Sequence, residues 1–288
     1  MRMSLCLSLF TAVLLLPFAV SRAQDNEYVD SMSEEHAGEE PTSNPMSEVA
    51  PESPITSGDV VYATVAGQPI TGYLASPTVE DGAPRPPALL VIHEWWGLND
   101  NVRAMSDRLA GLGYTALAVD LYSGNVAETP EQAREYMQAA MADPEAARDN
   151  LSQALDFLND GAQPRRIGSI GWCFGGGWSL NASIMFPDQI DATVIYYGHL
   201  ETDPASLAPL SSPVLGIFGG ADESISQTSI QTFEAALNEM GIPVEIHVFD
   251  GAGHAFANPS GSHYVEGAAE QAWDLTEAFL RANLQGME

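Results

Sequence analysis

Three glycine-flanked segments carry side chains able to do covalent chemistry, and each follows a short apolar run. The first is Gly171-Trp172-Cys173-Phe174-Gly175, a small-x-nucleophile-x-small pattern centred on cysteine. Glycine on both sides suits a sharp strand-to-helix turn that exposes a nucleophile. A helix N-terminus just after it favours the thiolate. The plainer alternatives are a buried inert cysteine or a phosphate-binding turn, and Ser169 and Ser179 are the nearest hydroxyl rivals, neither at the turn. The second segment, Phe218-Gly219-Gly220-Ala221-Asp222-Glu223, supplies an acid; Asp222 is preferred to Glu223 because it comes first after the glycines. The third, Gly253-His254-Ala255-Phe256, supplies an imidazole as general base, with His199 as a rival that precedes the acid. A thiol, an acid and a histidine in this chain order predict acyl transfer to sulfur, with the acid orienting the imidazole.

A fourth segment, His93-Glu94-Trp95-Trp96-Gly97, ends another apolar run. Backbone N–H groups at such a position complete an oxyanion hole, here assigned to Trp95 together with Phe174. Glu94 is costly to bury without a partner; a salt-bridged or solvated loop acid is its ordinary reading.

These residues need a scaffold that presents strand ends side by side. Alternating residues at 60–65 and 70–75, separated by Gly67-Gln68-Pro69, predict an opening hairpin. Continuous apolar runs at 88–92, 115–119, 167–171, 192–197, 214–218 and 244–249 predict buried parallel strands. Helical patterns fall between them at 101–112, 130–142, 144–159, 176–185, 226–240 and 265–282. The sum is an α/β-hydrolase fold: a mostly parallel, doubly wound sheet with an N-terminal antiparallel hairpin, and chemistry at the carboxyl ends of the strands.

Residues 58–288 resemble the dienelactone hydrolase family along nearly their whole length. The resemblance is carried by His93-Glu94-Trp95-Trp96-Gly97, Asp120-Leu121-Tyr122, Gly171-Trp172-Cys173-Phe174-Gly175-Gly176, Asp222 and Gly253-His254-Ala255-Phe256. It implies a Cys-Asp-His triad at Cys173, Asp222 and His254, and gives Glu94 the task of holding the resting cysteine and promoting its thiolate. It also implies a substrate pocket that includes Tyr136, joined by Trp96, Phe256 and Asn258. Family members that open dienelactone carry an arginine four residues after the triad histidine, where this chain has Asn258. Arg134 matches a second substrate arginine only with a two-residue offset. Asparagine cannot form the bidentate ion pair, so a neutral ester or lactone is the expected small-molecule substrate. A broad carboxylesterase and a non-hydrolytic binding module on the same scaffold are the alternatives. No cofactor is expected, and no metal, because the sequence shows no clustered His/Cys ligand set.

The composition narrows the partners further. Ten basic residues, all arginine, face 39 acidic ones, for a net charge of −29. Such a surface repels nucleic acid and anionic membranes, and the absence of lysine removes Schiff-base and Walker A chemistry. The excess charge also hints at a salt-rich setting. Residues 1–23 read as a signal peptide: Arg2, an apolar run, and Ser21-Arg22-Ala23 before a cleavage point at Gln24. Residues 24–57, with nine acids and no base, predict a disordered acidic tether. The expectation is an exported monomer, free of the membrane after cleavage, with its hydrolase domain at 58–288 and Cys173 as the one remaining thiol.

Overall fold

A computed structural model describes residues 22–39, 49–80 and 82–286. Strands β1 (Ile55–Val65) and β2 (Gln68–Pro77) form the expected hairpin. Its turn residues Ala66 and Gly67 have φ of 49° and 79°, the left-handed pair that a two-residue hairpin loop requires.

Six parallel strands follow: β3 (Ala88–Ile92), β4 (Thr115–Val119), β5 (Ile167–Trp172), β6 (Ala192–Tyr196), β7 (Val214–Gly219) and β8 (Val244–Phe249). The order across the sheet is β1-β2-β4-β3-β5-β6-β7-β8. Strands β3 to β7 are buried along their whole length, as their uninterrupted apolar sequences dictate. The swap of β3 and β4 puts β3 beside β5, with Ile92 paired to Gly171. The segment after β3 therefore emerges beside the one after β5, at a topological switch point where open α/β sheets place their ligands.

The helices are α1 (Arg22–Glu35), α2 (Asp100–Gly111), α3 (Pro130–Ala142), α4 (Pro144–Gly161), α5 (Phe174–Met185), α6 (Pro204–Leu207), α7 (Gln227–Met240) and α8 (Glu266–Leu280). Their ends obey local chemistry. Asn99, Asp143 and Ser226 side chains accept from first-turn N–H groups, and Gly241 closes α7 at φ 74°. The Arg108 guanidinium of α2 lies 3.8 Å over the Trp273 ring of α8 and ties those helices together. Beneath α5 runs a buried chain of hydroxyls. Ser179 donates to Ser169 at 2.9 Å, and Ser169–Ser183, Ser183–Thr193 and Thr193–Ser212 are linked at 3.1, 2.6 and 2.8 Å.

One expectation is corrected. The acidic stretch predicted to be disordered over 24–57 contains α1, and β1 begins at Ile55, ahead of the boundary expected at 58. Averaged composition hides a stripe: Tyr28, Met32 and His36 are spaced by four, with Val29 beside them, on one helical face. That face docks on the domain, leaving Tyr28 6%, Val29 1%, Met32 0% and His36 2% exposed. Most of the expected signal peptide, residues 1–21, lies outside the described residues.

Candidate active site

Strand β5 ends at Trp172 and α5 starts at Phe174, so Cys173 alone makes the turn, at φ 55° and ψ −120°. A non-glycine residue there is strained and persists only when its surroundings fix it. The Cys173 N–H donates to Tyr196 O at 3.0 Å, and its carbonyl accepts from Gly176 and Gly177 at 2.9 and 3.3 Å. A Cβ on Gly171 would fall 2.1 Å from Gly175 O, and one on Gly175 would fall 2.2 Å from Ile92 O. Direct backbone contact therefore demands both flanking glycines.

The loops after β7 and β8 bring an acid and an imidazole to the thiol. His254 Nδ1 donates to Asp222 Oδ2 at 2.9 Å, while Asp222 Oδ1 accepts from the N–H groups of Ser224 and Ile225 at 2.8 and 2.9 Å. The carboxylate is thus held from two sides, and His254 keeps Nε2 for the thiol. A ring nitrogen of His254 lies within 4.8 Å of Cys173 Sγ. Burial pushes the Cys173 thiol up, but the charge and hydrogen bond of His254, joined by those of His36, outweigh it and bring the thiol down to about 6. Burial disfavours the charged His254, yet the Cys173 thiolate and Asp222 raise it well above the ordinary histidine value. Both shifts favour a thiolate facing an imidazolium.

The loop after β3 supplies the other wall. Glu94 is fully buried, and burial together with the neighbouring Cys173 charge pushes its carboxyl up to about 8. Asn258 Nδ2 donates to Glu94 Oε2 at 2.6 Å, so the amide at the expected substrate position holds this acid instead. His93 Nδ1 donates to Glu94 O at 2.6 Å, and His93 Nε2 accepts from Leu121 N at 3.1 Å. In a planar trans peptide the carbonyl and the next N–H point in opposite directions. His93 therefore sets the direction of the Trp95 N–H by gripping the Glu94 carbonyl. Phe174 is the first residue of α5, where N–H groups have no acceptor within the helix.

Helix α1 closes the site from above. Met32 Sδ lies 3.5 Å from Cys173 Sγ. His36 stacks on Trp95 with ring centroids 4.5 Å apart and meets His254 edge-on at 5.6 Å. Its Nδ1 donates to Glu39 Oε2 at 2.6 Å. Burial favours a neutral Glu39, but His36, Ser262 and His263 draw its carboxyl down to about 2. Arg134 reaches Asp30 on α1 at 2.5 Å, so the offset substrate arginine pairs with this helix. Cys173 is left 1% exposed.

The remaining predicted pocket residues separate. Trp96 packs on Trp95 with centroids 5.0 Å apart, at the rim of the site. Tyr136 lines a cavity of about 290 Å³ with Leu121, Tyr122 and Asn150. Phe256 is buried between Tyr197 and Phe249 and belongs to the core. The hydroxyls of Tyr122 and Tyr197 and the indole N–H of Trp95 are buried without a hydrogen-bond partner, and Tyr28, Tyr122 and Tyr197 all feel the Cys173 charge. Sequence reasoning missed Met32, His36 and His93. The spacing of Tyr28, Met32 and His36 was the available signal for the first two, and for His93 it was its place at the head of the His93–Gly97 segment.

A parallel sheet with a nucleophile elbow at its switch point, and an acid and a histidine on later strand ends, defines an α/β-hydrolase. The profile of the Dienelactone hydrolase family matches residues 70–284, and the chain belongs to that family of hydrolases. Protein usf of Aquifex pyrophilus is 31% identical over 234 residues, covering 79% of this chain and 99% of the relative. An Aquifex aeolicus protein whose name proposes a carboxymethylenebutenolidase is 28% identical over 235 residues, covering 79% and 100%. Among solved structures, a Klebsiella pneumoniae protein with the proposed name dienelactone hydrolase superposes with a TM-score of 0.70 at 26% identity, covering 80% of this chain and 99% of that one.

Proposed function

We propose that the chain is an exported hydrolase that cleaves a neutral ester or lactone through an acyl group carried on Cys173. The observation that supports this most is the strained elbow cysteine with the Asp222–His254 pair at hand, within 4.8 Å for the imidazole. The Cys173 thiolate attacks the carbonyl carbon, and the carbonyl oxygen gathers charge against the N–H groups of Trp95 and Phe174. Collapse forms the thioester; His254 gives its Nε2 proton to the leaving alkoxide. His254 then takes a proton from water, whose oxygen attacks the thioester. Collapse returns the thiolate and releases the acid, with Asp222 keeping the imidazole in one orientation throughout. Glu94, held by Asn258, favours the thiolate only when it is itself neutral.

Neutral substrates suit this site for two reasons. Asn258 is occupied by Glu94, and a chain of charge −29 repels carboxylates. The test is hydrolysis of a neutral nitrophenyl ester by the metal-free protein, before and after alkylation of Cys173. Turnover that survives complete alkylation overturns the cysteine mechanism, and absence of turnover over several ester and lactone classes favours a binding module.

A further inference from the structure

Outside the hydrolytic reading, one cluster has the chemistry of a metal site. Among the described residues, His36, Cys173 and His254 place one ring nitrogen each and the sulfur within 4.8 Å of one another, all buried. Each imidazole has a carboxylate as its second partner. His254 Nδ1 is held by Asp222 at 2.9 Å and His36 Nδ1 by Glu39 at 2.6 Å. Carboxylates in that position fix the tautomer and ring direction of metal-binding histidines. The two Nε2 atoms that remain are buried, with the Cys173 sulfur as their one acceptor among the described residues. Met32 Sδ, 3.5 Å from the thiol sulfur, stands as a fourth soft donor.

We infer that α1 completes a binding site for a thiophilic d10 cation, Zn²⁺ or Cu⁺, built from Cys173, His254, His36 and Met32. Tetrahedral bonds of about 2.0–2.3 Å set donors roughly 3.3–3.6 Å apart, so the cluster closes by side-chain rotation of about an ångström. Thiolate and imidazole suit both ions, and the thioether favours Cu⁺. Coordination releases the protons of the two Nε2 atoms and of any neutral thiol to solvent, and no electron is transferred. The bound ion takes the nucleophile and the general base together and pins α1 over the elbow. The site shares Cys173 and His254 with the proposed hydrolase, but its readout is metal binding, so either reading can fail alone.

The test titrates the full metal-free chain with Zn²⁺ by calorimetry, Cu⁺ by competition with a chromogenic chelator, and Co²⁺ by absorption. Expected results are one ion per chain, thiolate-to-cobalt charge transfer in the near ultraviolet, and tetrahedral visible bands. His36→Ala is expected to weaken binding by more than tenfold and Glu39→Gln by about tenfold, both with loss of tetrahedral intensity. No stoichiometric binding, or binding by His36→Ala as tight as by the wild type, overturns the site. Met32→Leu is expected to weaken Cu⁺ more than Zn²⁺; unchanged Cu⁺ affinity removes the thioether from the ligand set.

Discussion

The Met32 thioether sits 3.5 Å from the Cys173 thiol and covers it. With Cys173 1% exposed, the site is closed until α1 moves. Val29→Asp, away from the thiol, places an unpaired charge under the helix at a cost of several kcal/mol. Undocking is expected to speed both iodoacetamide alkylation and ester turnover by about tenfold or more. Unchanged alkylation shows that α1 does not guard the thiol.

The Cys173 thiol titrates near 6 because the imidazoles outweigh burial. A lowered thiol value means that thiolate is present above that pH and is lost as pH falls through it. Alkylation rate is therefore expected to rise through about pH 6. His36→Ala should move the midpoint upward. A wild-type midpoint near 8.5, the ordinary cysteine value, contradicts the ion pair.

His93 acts on the reaction only through the 94–95 peptide. His93→Phe leaves the Glu94 carbonyl ungripped and the Leu121 N–H without its acceptor. A misdirected oxyanion donor costs about 10²–10³ in rate. The expected outcome is a fall in kcat of about a hundredfold with little change in KM. Alkylation of Cys173, which forms no oxyanion, should keep its rate; a parallel loss there shows general misfolding instead.

Asn258 donates to a carboxyl whose ionisation is pushed up to about 8 by burial and the thiol's charge. Asn258→Asp replaces that donor with a second acid, so one of the two must hold a proton. A stability loss of about 1–3 kcal/mol is expected from urea unfolding. The loss should shrink at acidic pH, where both carboxyls are neutral. Equal loss at pH 5 and pH 8 argues against this electrostatic origin.

The net charge of −29 gives a simpler expectation. Screening relieves self-repulsion, so melting temperature should rise with added salt. A flat response removes the link to a salt-rich setting.

The sheet was legible in the sequence because fully buried strands need unbroken apolar runs: the strands expected at 88–92 and 115–119 have those bounds, whereas the edge strand at 244–249, expected to be buried, carries Glu245 and His247 and is partly exposed. The elbow and its partners were legible because Gly171 and Gly175 are required by backbone contact at fixed spacing. Helix α1 was not, since Tyr28, Val29, Met32 and His36 are few among many acids and gain their meaning only against the domain. The bond from Asn258 to Glu94 joins residues 164 apart in the chain, a separation that local pattern cannot bridge.

The hydroxyl chain under α5 has a mechanical consequence. Apolar side chains resist separation but tolerate a small slide, since dispersion has no preferred direction. Bonds from Ser169 through Ser183 and Thr193 to Ser212 are directional. They act as locating pins, fixing both the rotation of α5 about its axis and its advance along it. The sulfur at its tip is thereby indexed to the sheet.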